Sequence, residues 1–176
     1  MKYYLMRQDK KAQEVPKVIN WFQKVNTKAM EPEMYEELAP VTVLEAVMAV
    51  NTQYKELVLS PFLLLPNEAA VLLKAFEPWM KCKTFILWDS KKKVHHRYEF
   101  PLLKRYDCLS EESVFNRDRS ELEKGVLKKD DLPDQVLFMP EGVNGKMVIV
   151  REDFVEALLQ NHFFGYSLTQ FKLGEK

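Results

Sequence analysis

Residues 84–103 have the sequence TFILWDSKKKVHHRYEFPLL, and this stretch decides the class of fold. The run from Thr84 to Trp88 is rich in β-branched, aromatic and aliphatic side chains, which favour strands. Asp89 to Lys92 is polar and predicts a turn. Val94 to Leu103 then returns with polar and aromatic side chains in alternation. Two such runs around a short polar segment predict a β-hairpin.

A second hairpin is predicted further along the chain. Its strands are Val136 to Met139 and Lys146 to Val150, and Asn144-Gly145 lies between them. Both turn residues accept the positive φ of a type I′ turn. Strands that arrive as hairpins, rather than as strand–helix–strand units, indicate an antiparallel or mixed sheet. The sequence therefore predicts an α+β fold built largely from hairpins, with two or three helices packed on the sheet.

Three helices are predicted from apolar residues at spacings of three and four. The first covers Val15 to Val25, and the second runs from an N-cap at Asn67 through Phe76, before Pro78. The third is Glu152 to Gln160, with an acidic first turn. Its predicted apolar stripe consists of Phe154, Val155, Leu158 and Leu159.

The remaining segments have weaker patterns. Further strands are predicted at Lys2 to Arg7, at Leu57 to Leu65 with an interruption at Pro61, and at Tyr166 to Leu173. Val41 to Val50 fits either a strand or a helix. Met30 to Pro40 has four glutamates and no basic residue, which predicts an exposed connector. Asp107 to Asp131 is polar and is expected to be irregular.

Length and composition restrict the class of protein. The 176 residues suit a single domain, residues 1–176. Basic and acidic residues balance at 26 each, which argues against a general nucleic-acid binder. No apolar run is long enough for a membrane span, and the charged N-terminus does not resemble a signal peptide. With only Cys82 and Cys108, both expected to be free thiols, we predict a cytoplasmic protein.

Motifs for cofactors and metals fail on spacing, so no cofactor-binding, metal or catalytic residue is predicted. The segment around Gly142 and Gly145 is too short for a phosphate loop and leads into a strand. His95 and His96 are neighbours on a strand and point to opposite faces. A catalytic site assembled from distant residues stays open as an alternative, and it would use Cys108 or His162.

Two charged segments are candidates for partner binding. Lys91 to Lys93, with His95, His96 and Arg97, form a basic hairpin tip that could contact a phosphate backbone. The acidic connector could instead meet a basic protein, because complementary charge steers association. Apolar anchors within it would supply binding energy. The predicted partner-binding residues are Glu31, Glu33, Met34, Tyr35, Glu36 and Glu37.

The order of segments over about residues 57–173 resembles a known family. It begins with Leu59-Ser60-Pro61-Phe62-Leu63-Leu64 and the helix that follows, and continues through Tyr98-Glu99-Phe100-Pro101-Leu102-Leu103 and Asp107-Cys108-Leu109-Ser110. This order is similar to that of bacterial immunity proteins of polymorphic toxin and contact-dependent inhibition systems. The resemblance implies a cytosolic antitoxin that binds a cognate toxin without catalysis. The shared positions are mostly core residues and turns, and no functional residue is carried over, because no motif defines the toxin contact.

The sequence thus supports three hypotheses. The first is an immunity protein that binds a protein toxin. The alternatives are a small hydrolase-like enzyme with a dispersed active site, and a nucleic-acid-binding or regulatory module that uses Lys91 to Arg97.

Overall fold

The computed structural model describes residues 1–143 and 146–174. The predicted turn at Asn144-Gly145 lies outside this range. The chain forms two compact units. The central unit contains Gln8–Leu102 and Ala157–Tyr166, and the terminal unit contains Met1–Arg7, Leu103–Glu156 and Ser167–Lys176. This division does not test the prediction that residues 1–176 form a single domain, which stays a prediction.

The described residues form short strands, two α-helices and several 3₁₀ turns. The strands in chain order are β1 (Tyr3–Gln8), β2 (Lys17–Ile19), β3 (Val41–Val47), β4 (Leu65–Pro66), β5 (Cys82–Asp89), β6 (Val94–Pro101), β7 (Arg105–Tyr106), β8 (Val114–Phe115), β9 (Leu122–Lys124), β10 (Val126–Leu127), β11 (Leu137–Pro140), β12 (Val148–Arg151), β13 (Tyr166–Gln170) and β14 (Lys172–Leu173). The helices are α1 (Asn67–Phe76) and α2 (Glu152–Gln160). The predicted α+β class is confirmed.

The central unit contains a mixed sheet whose described strands follow the order β2-β3-β5-β6-β4. The pair β3–β5 is parallel, and the other pairs are antiparallel. The hairpin predicted from residues 84–103 is β5–β6, with Trp88 opposite His95. One face of the sheet carries the core of the unit. Its buried side chains include Leu44, Phe62, Phe85 and Tyr98.

Asp89 closes this hairpin at the end of β5. Its carboxylate accepts the backbone N–H groups of Lys91 and Lys92, each at 3.0 Å. It also accepts the backbone N–H of Met48, at 2.9 Å. These three hydrogen bonds hold the pKa of Asp89 below its usual value. The carboxylate therefore joins the turn of the hairpin to the chain that follows β3.

The predicted helix from Val15 to Val25 is wrong. Its residues form strand β2 and a 3₁₀ turn at Trp21–Gln23. Asn20 between them has φ 53°, in the left-handed region, which breaks a helix. Pairing of β2 with β3 satisfies the backbone, and the β-branched Val18 and Ile19 fit a strand better than a helix. Tertiary pairing has overridden an apparent helical spacing here.

Residues 30–40 are also more ordered than the predicted connector. A 3₁₀ turn covers Thr27–Met30 and another covers Pro32–Glu37. Tyr35 and Leu38 within or after the second turn are buried in the core of the central unit. The segment is therefore a packed element with an acidic outer side, and only part of it is exposed.

Three other predictions need smaller corrections. Leu57 to Leu65 is buried but folds back on itself, because Val58 and Leu64 exchange backbone hydrogen bonds of 3.0 and 2.7 Å around the cis Ser60–Pro61 bond. Helix α1 begins at Asn67 itself, so the cap position is Pro66 and no side chain caps it. In α2, Leu159 of the predicted apolar stripe is 58% exposed.

The terminal unit contains a second mixed sheet, and its described strands follow the order β13-β1-β12-β11-β7. The predicted strand pair of the second hairpin is confirmed, since Phe138 of β11 lies opposite Ile149 of β12. Residues 107–131, predicted to be irregular, include the short strands β8 to β10. The predicted final strand is divided into β13 and β14, and β14 pairs with β10 in parallel.

None of the helices in the described range is long and apolar enough to cross a membrane.

Candidate protein-binding surface

Strand β3 has one buried side and one exposed apolar side. Successive side chains on a strand point to opposite faces of the sheet. Leu44 and Ala46 point into the core and are almost fully buried. Val41, Val43 and Val47 point the other way and are 56%, 49% and 51% exposed. Valines that remain half exposed along one strand leave an apolar surface on this side of the sheet.

The neighbouring strands extend this surface. Ile86 of β5 lies opposite Val43, and Trp88 lies opposite Glu45. Both β5 side chains are partly exposed. On β6, His95 lies opposite Trp88, and their rings are 6.2 Å apart. Cross-strand neighbours share a face of the sheet, so these side chains form one continuous set.

We call this outward set the open sheet face. Its members are Lys17, Ile19, Val41, Val43, Glu45, Val47, Thr84, Ile86, Trp88, His95 and Arg97.

Polar groups surround the apolar centre of the open sheet face. Arg97 donates a hydrogen bond from Nε to Glu99 Oε1 at 2.6 Å, and Thr84 Oγ1 lies 3.3 Å from the same oxygen. Glu45 accepts a hydrogen bond from Asn20 Nδ2 at 3.1 Å. An apolar centre with a polar rim is the usual composition of a protein-binding surface.

The acidic segment predicted as the binding site immediately precedes β3. Glu33, Glu36 and Glu37 are exposed, and Glu31 and Met34 are partly buried. The structure therefore leaves three of the predicted carboxylates on the surface, where a partner could reach them. Their predicted role in binding stays a prediction.

Glu36 differs from the other two exposed glutamates because it has cationic neighbours. Its carboxylate lies 2.7 Å from Lys81 Nζ and 3.8 Å from Lys83 Nζ. Its hydrogen bond to Lys81 lowers the pKa of Glu36. The two lysines offset part of the charge that a basic partner would meet.

Tyr35 is not available as a surface anchor. It is 1% exposed, and its hydroxyl donates a hydrogen bond to the carbonyl oxygen of Phe100 at 2.8 Å. Burial raises the pKa of the Tyr35 hydroxyl strongly. Tyr35 is thus a core residue and not the exposed anchor that the predicted site required. The sequence did not reveal the burial of Tyr35, because an aromatic residue among glutamates is compatible with an exposed anchor as well as with a core residue.

The histidine pair behaves as its strand position predicted. His95 is exposed on the open sheet face, and His96 lies on the opposite side of β6. The His96 ring stacks on Tyr54 with centroids 4.2 Å apart. Burial lowers the pKa of His96. Across the described residues, no group of three or more His, Cys, Asp or Glu side chains is placed to hold a metal ion.

The two candidates for a dispersed catalytic site have different environments. Cys108 is fully buried in the core of the terminal unit, and burial raises the pKa of its thiol to about 12. A nucleophilic cysteine needs the opposite shift, towards the thiolate. His162 is exposed in the central unit and has φ 60°. The environment of Cys108 therefore disfavours a thiolate, and the alternative of a dispersed catalytic site stays a prediction.

Some side chains of the basic hairpin tip already form contacts within the chain. Lys92 donates a hydrogen bond from Nζ to the carbonyl oxygen of Met48, and Arg97 pairs with Glu99. Of the two aromatic residues near the basic tip, Tyr98 is fully buried, whereas Trp88 is partly exposed beside His95. A nucleic-acid surface needs aromatic rings that are free to stack on bases. The tip thus offers exposed lysines with one partly exposed ring, that of Trp88, nearby, and the nucleic-acid-binding alternative stays a prediction.

Sequence reasoning missed the open sheet face, although a signal for it was present. Val41, Val43 and Val47 share one side of the strand with Glu45, and apolar Leu44 and Ala46 point to the other side. Because both faces of the strand are apolar, the period of two is hidden, and alanine and methionine in the segment made a helix equally plausible. Pairing with β5 resolves the ambiguity in favour of a strand.

The chain matches no family model and no curated protein. The resemblance to immunity proteins therefore remains a prediction from the sequence.

Proposed function

We propose that this chain is a non-catalytic protein-binding domain, an immunity protein that neutralises a cognate bacterial toxin by direct contact. The observation that supports the proposal most is the open sheet face, where Val41, Val43 and Val47 are each about half exposed. Apolar side chains gathered on one face gain free energy when a partner removes them from water. The toxin is proposed from the family resemblance, and the surface from the exposure of these valines.

We expect charge to contribute to the proposed contact as well. The exposed carboxylates of Glu33 and Glu37 lie in the segment that precedes β3 in the chain. They would attract a toxin with a basic active surface and speed its association. This contribution should weaken with added salt, whereas the apolar contact should not.

The proposal is tested with the toxin domain encoded by the gene adjacent to that of this chain. The purified chain is expected to form a 1:1 complex with this domain and to protect cells that express it. Val43→Glu places a charge at the apolar centre and should weaken binding about tenfold or more. Val71→Glu is the matched control, because Val71 is also an exposed valine but lies on α1.

The outcomes separate the function from the surface. If the purified proteins form no complex, the immunity function is wrong. If they bind but Val43→Glu binds as tightly as Val71→Glu, the function stands and the open sheet face is not the contact. Thermal unfolding of both variants checks that each remains folded.

A further inference from the structure

The terminal unit contains a cleft of about 600 Å³ that involves no residue of the open sheet face. Its walls come from the segment between β7 and β10, from Lys128 directly after β10, and from the residues that follow β11. Its volume lies within the range of roughly 300–1,000 Å³ that is usual for small-molecule sites. The charged side chains that line it are Asp107, Glu111, Arg119, Lys128 and Glu141.

Arg119 is held in place but keeps part of its hydrogen-bonding capacity. Its guanidinium carbon lies 4.2 Å from the centre of the Phe115 ring, and its Nε donates a hydrogen bond to the carbonyl oxygen of Gly142 at 2.9 Å. Among the described residues, its two terminal nitrogens have no hydrogen-bond partner. The end of the guanidinium is thus pre-positioned to bind a planar oxyanion through two parallel hydrogen bonds.

The backbone of Arg119 supports the same interpretation. Arg119 has φ 57°, in the left-handed region that side chains larger than glycine rarely adopt. Its backbone N–H donates to the carbonyl oxygen of Asn116 at 3.1 Å, which keeps this conformation in place. Unfavourable backbone conformations are enriched at binding sites, and of the five residues other than glycine in the described range with a positive φ, Arg119 lines the cleft.

The other charges in the cleft divide into a neutralised pair and two available carboxylates. Lys128 Nζ lies 2.8 Å from Asp107 Oδ2, so their charges offset each other. Glu111 and Glu141 are exposed, and their carboxylates have no ion pair within the described part of the chain. The cleft therefore presents one available cation and two available anions above the apolar side chains of Leu109 and Phe115.

This distribution of charge selects the chemistry of the ligand. A polyphosphate would be repelled by Glu111 and Glu141, and a simple polyamine would be repelled by Arg119. A molecule that carries both a carboxylate and a basic group satisfies all three side chains. We propose that the cleft binds a basic amino acid, either free or as the C-terminal residue of a peptide. Its carboxylate contacts the Arg119 guanidinium, and its basic side chain points towards Glu111 and Glu141.

The proposal is tested by calorimetric titration of the full chain with four ligands. L-arginine has every group that the cleft requires, and Nα-acetyl-L-arginine imitates a peptide C-terminus. L-argininamide lacks the carboxylate, and L-glutamate lacks the basic side chain. We expect at least one of the two ligands with a free carboxylate, L-arginine and Nα-acetyl-L-arginine, to bind. L-argininamide should bind at least about tenfold more weakly, because a charge-assisted bidentate contact with its carboxylate is lost. L-glutamate should not bind at concentrations up to roughly 10 mM.

Variants identify the contact residue. Arg119→Gln should weaken L-arginine binding about tenfold or more. Arg117→Gln should not, and it is the matched control because Arg117 is an exposed arginine of the same segment that does not line the cleft. If Arg119→Gln does not fold, the comparison of L-arginine with L-argininamide on the unaltered chain tests the same contact.

Each outcome decides the proposal. Binding of L-arginine but not of its acetylated form assigns a free amino acid, and equal binding of both assigns a peptide terminus. The proposal is overturned if neither ligand binds at concentrations up to roughly 10 mM. It is also overturned if Arg119→Gln binds L-arginine as well as Arg117→Gln does. Neither result bears on the toxin complex, which is measured separately.

Discussion

The hydroxyl of Tyr35 donates a hydrogen bond to the carbonyl oxygen of Phe100 at 2.8 Å, and the two rings stack with centroids 5.8 Å apart. This contact joins the acidic segment that precedes β3 to strand β6, a sequence separation of 65 residues. Tyr35 therefore fixes the position of the exposed glutamates on either side of it. Its effect on binding would be indirect, through the fold of the segment.

Tyr35→Phe should destabilise the chain by about 1–2 kcal/mol, because the buried hydrogen bond from the Tyr35 hydroxyl to the Phe100 carbonyl oxygen is lost while the ring packing is retained. Urea denaturation followed by fluorescence measures the change. Glu37→Gln, a neighbouring exposed position, should leave the free energy of unfolding nearly unchanged. Equal stability of the two variants would show that this hydrogen bond does not hold the segment.

Tyr98→Phe should cause little or no loss of stability, although Tyr98 is as deeply buried as Tyr35. Its hydroxyl has no hydrogen-bond partner among the described residues, and burial raises its pKa strongly. Removal of an unsatisfied buried hydroxyl should change the free energy of unfolding by less than about 1 kcal/mol, or stabilise the chain. The same urea titration as for Tyr35→Phe gives a direct comparison. A loss of 2 kcal/mol or more, on the order of a broken buried hydrogen bond, would contradict this prediction.

Asp89 should give the stability a pH dependence in the acid range. Hydrogen bonds from the backbone of Met48 and Lys92 lower its pKa in the folded state. The unfolded value is about 3.9, so the carboxylate stabilises the fold above this pH, and the contribution is lost as the pH falls from about 4 through the lowered folded pKa. Asp89→Asn should remove this part of the pH dependence and lower the stability at neutral pH. Thermal melts between roughly pH 2 and 7 test this, with the exposed Asp134→Asn as the control.

Gly165→Ala should destabilise the central unit by about 1–3 kcal/mol, because φ is unfavourable for alanine and the space is occupied. Gly165 has φ +94°, and an added Cβ would lie 2.9 Å from Val15 Cγ2 and 3.0 Å from the carbonyl oxygen of Leu57. The control is Gly174→Ala, where an added Cβ would meet Val126 Cγ1 at an ordinary 3.4 Å. Thermal unfolding of the two variants should show a clear loss only for Gly165→Ala.

The elements that were predicted correctly depend on short-range patterns. The β5–β6 hairpin follows from two strand-forming runs around Asp89, whose carboxylate accepts the turn amides directly. Helix α2 follows from apolar spacing and an acidic first turn. In each case the residues that form the element are the residues that define the pattern, so no distant contact is needed to recognise it.

The errors occur where a distant strand decides the local structure. Residues 15–25 have valines at helical spacing, but pairing of Val18 with Ala46 of β3 makes part of them a strand. Tyr35 was placed on the surface because its neighbours are charged, and it is buried because Phe100 lies beside it. Contacts between residues this far apart in sequence cannot be found from periodicity.

By itself the sequence determined the α+β class, the two hairpin strand pairs and the opposite orientation of His95 and His96, because strand alternation and turn chemistry are local properties of the chain. Only the tertiary structure decided that Val41, Val43 and Val47 face outwards and that Arg119 lines a cleft. Alternation establishes which side chains share a face of a strand. Packing between residues far apart in sequence decides which of the two faces is covered by the rest of the chain. The same packing therefore decides where the candidate sites of this protein lie.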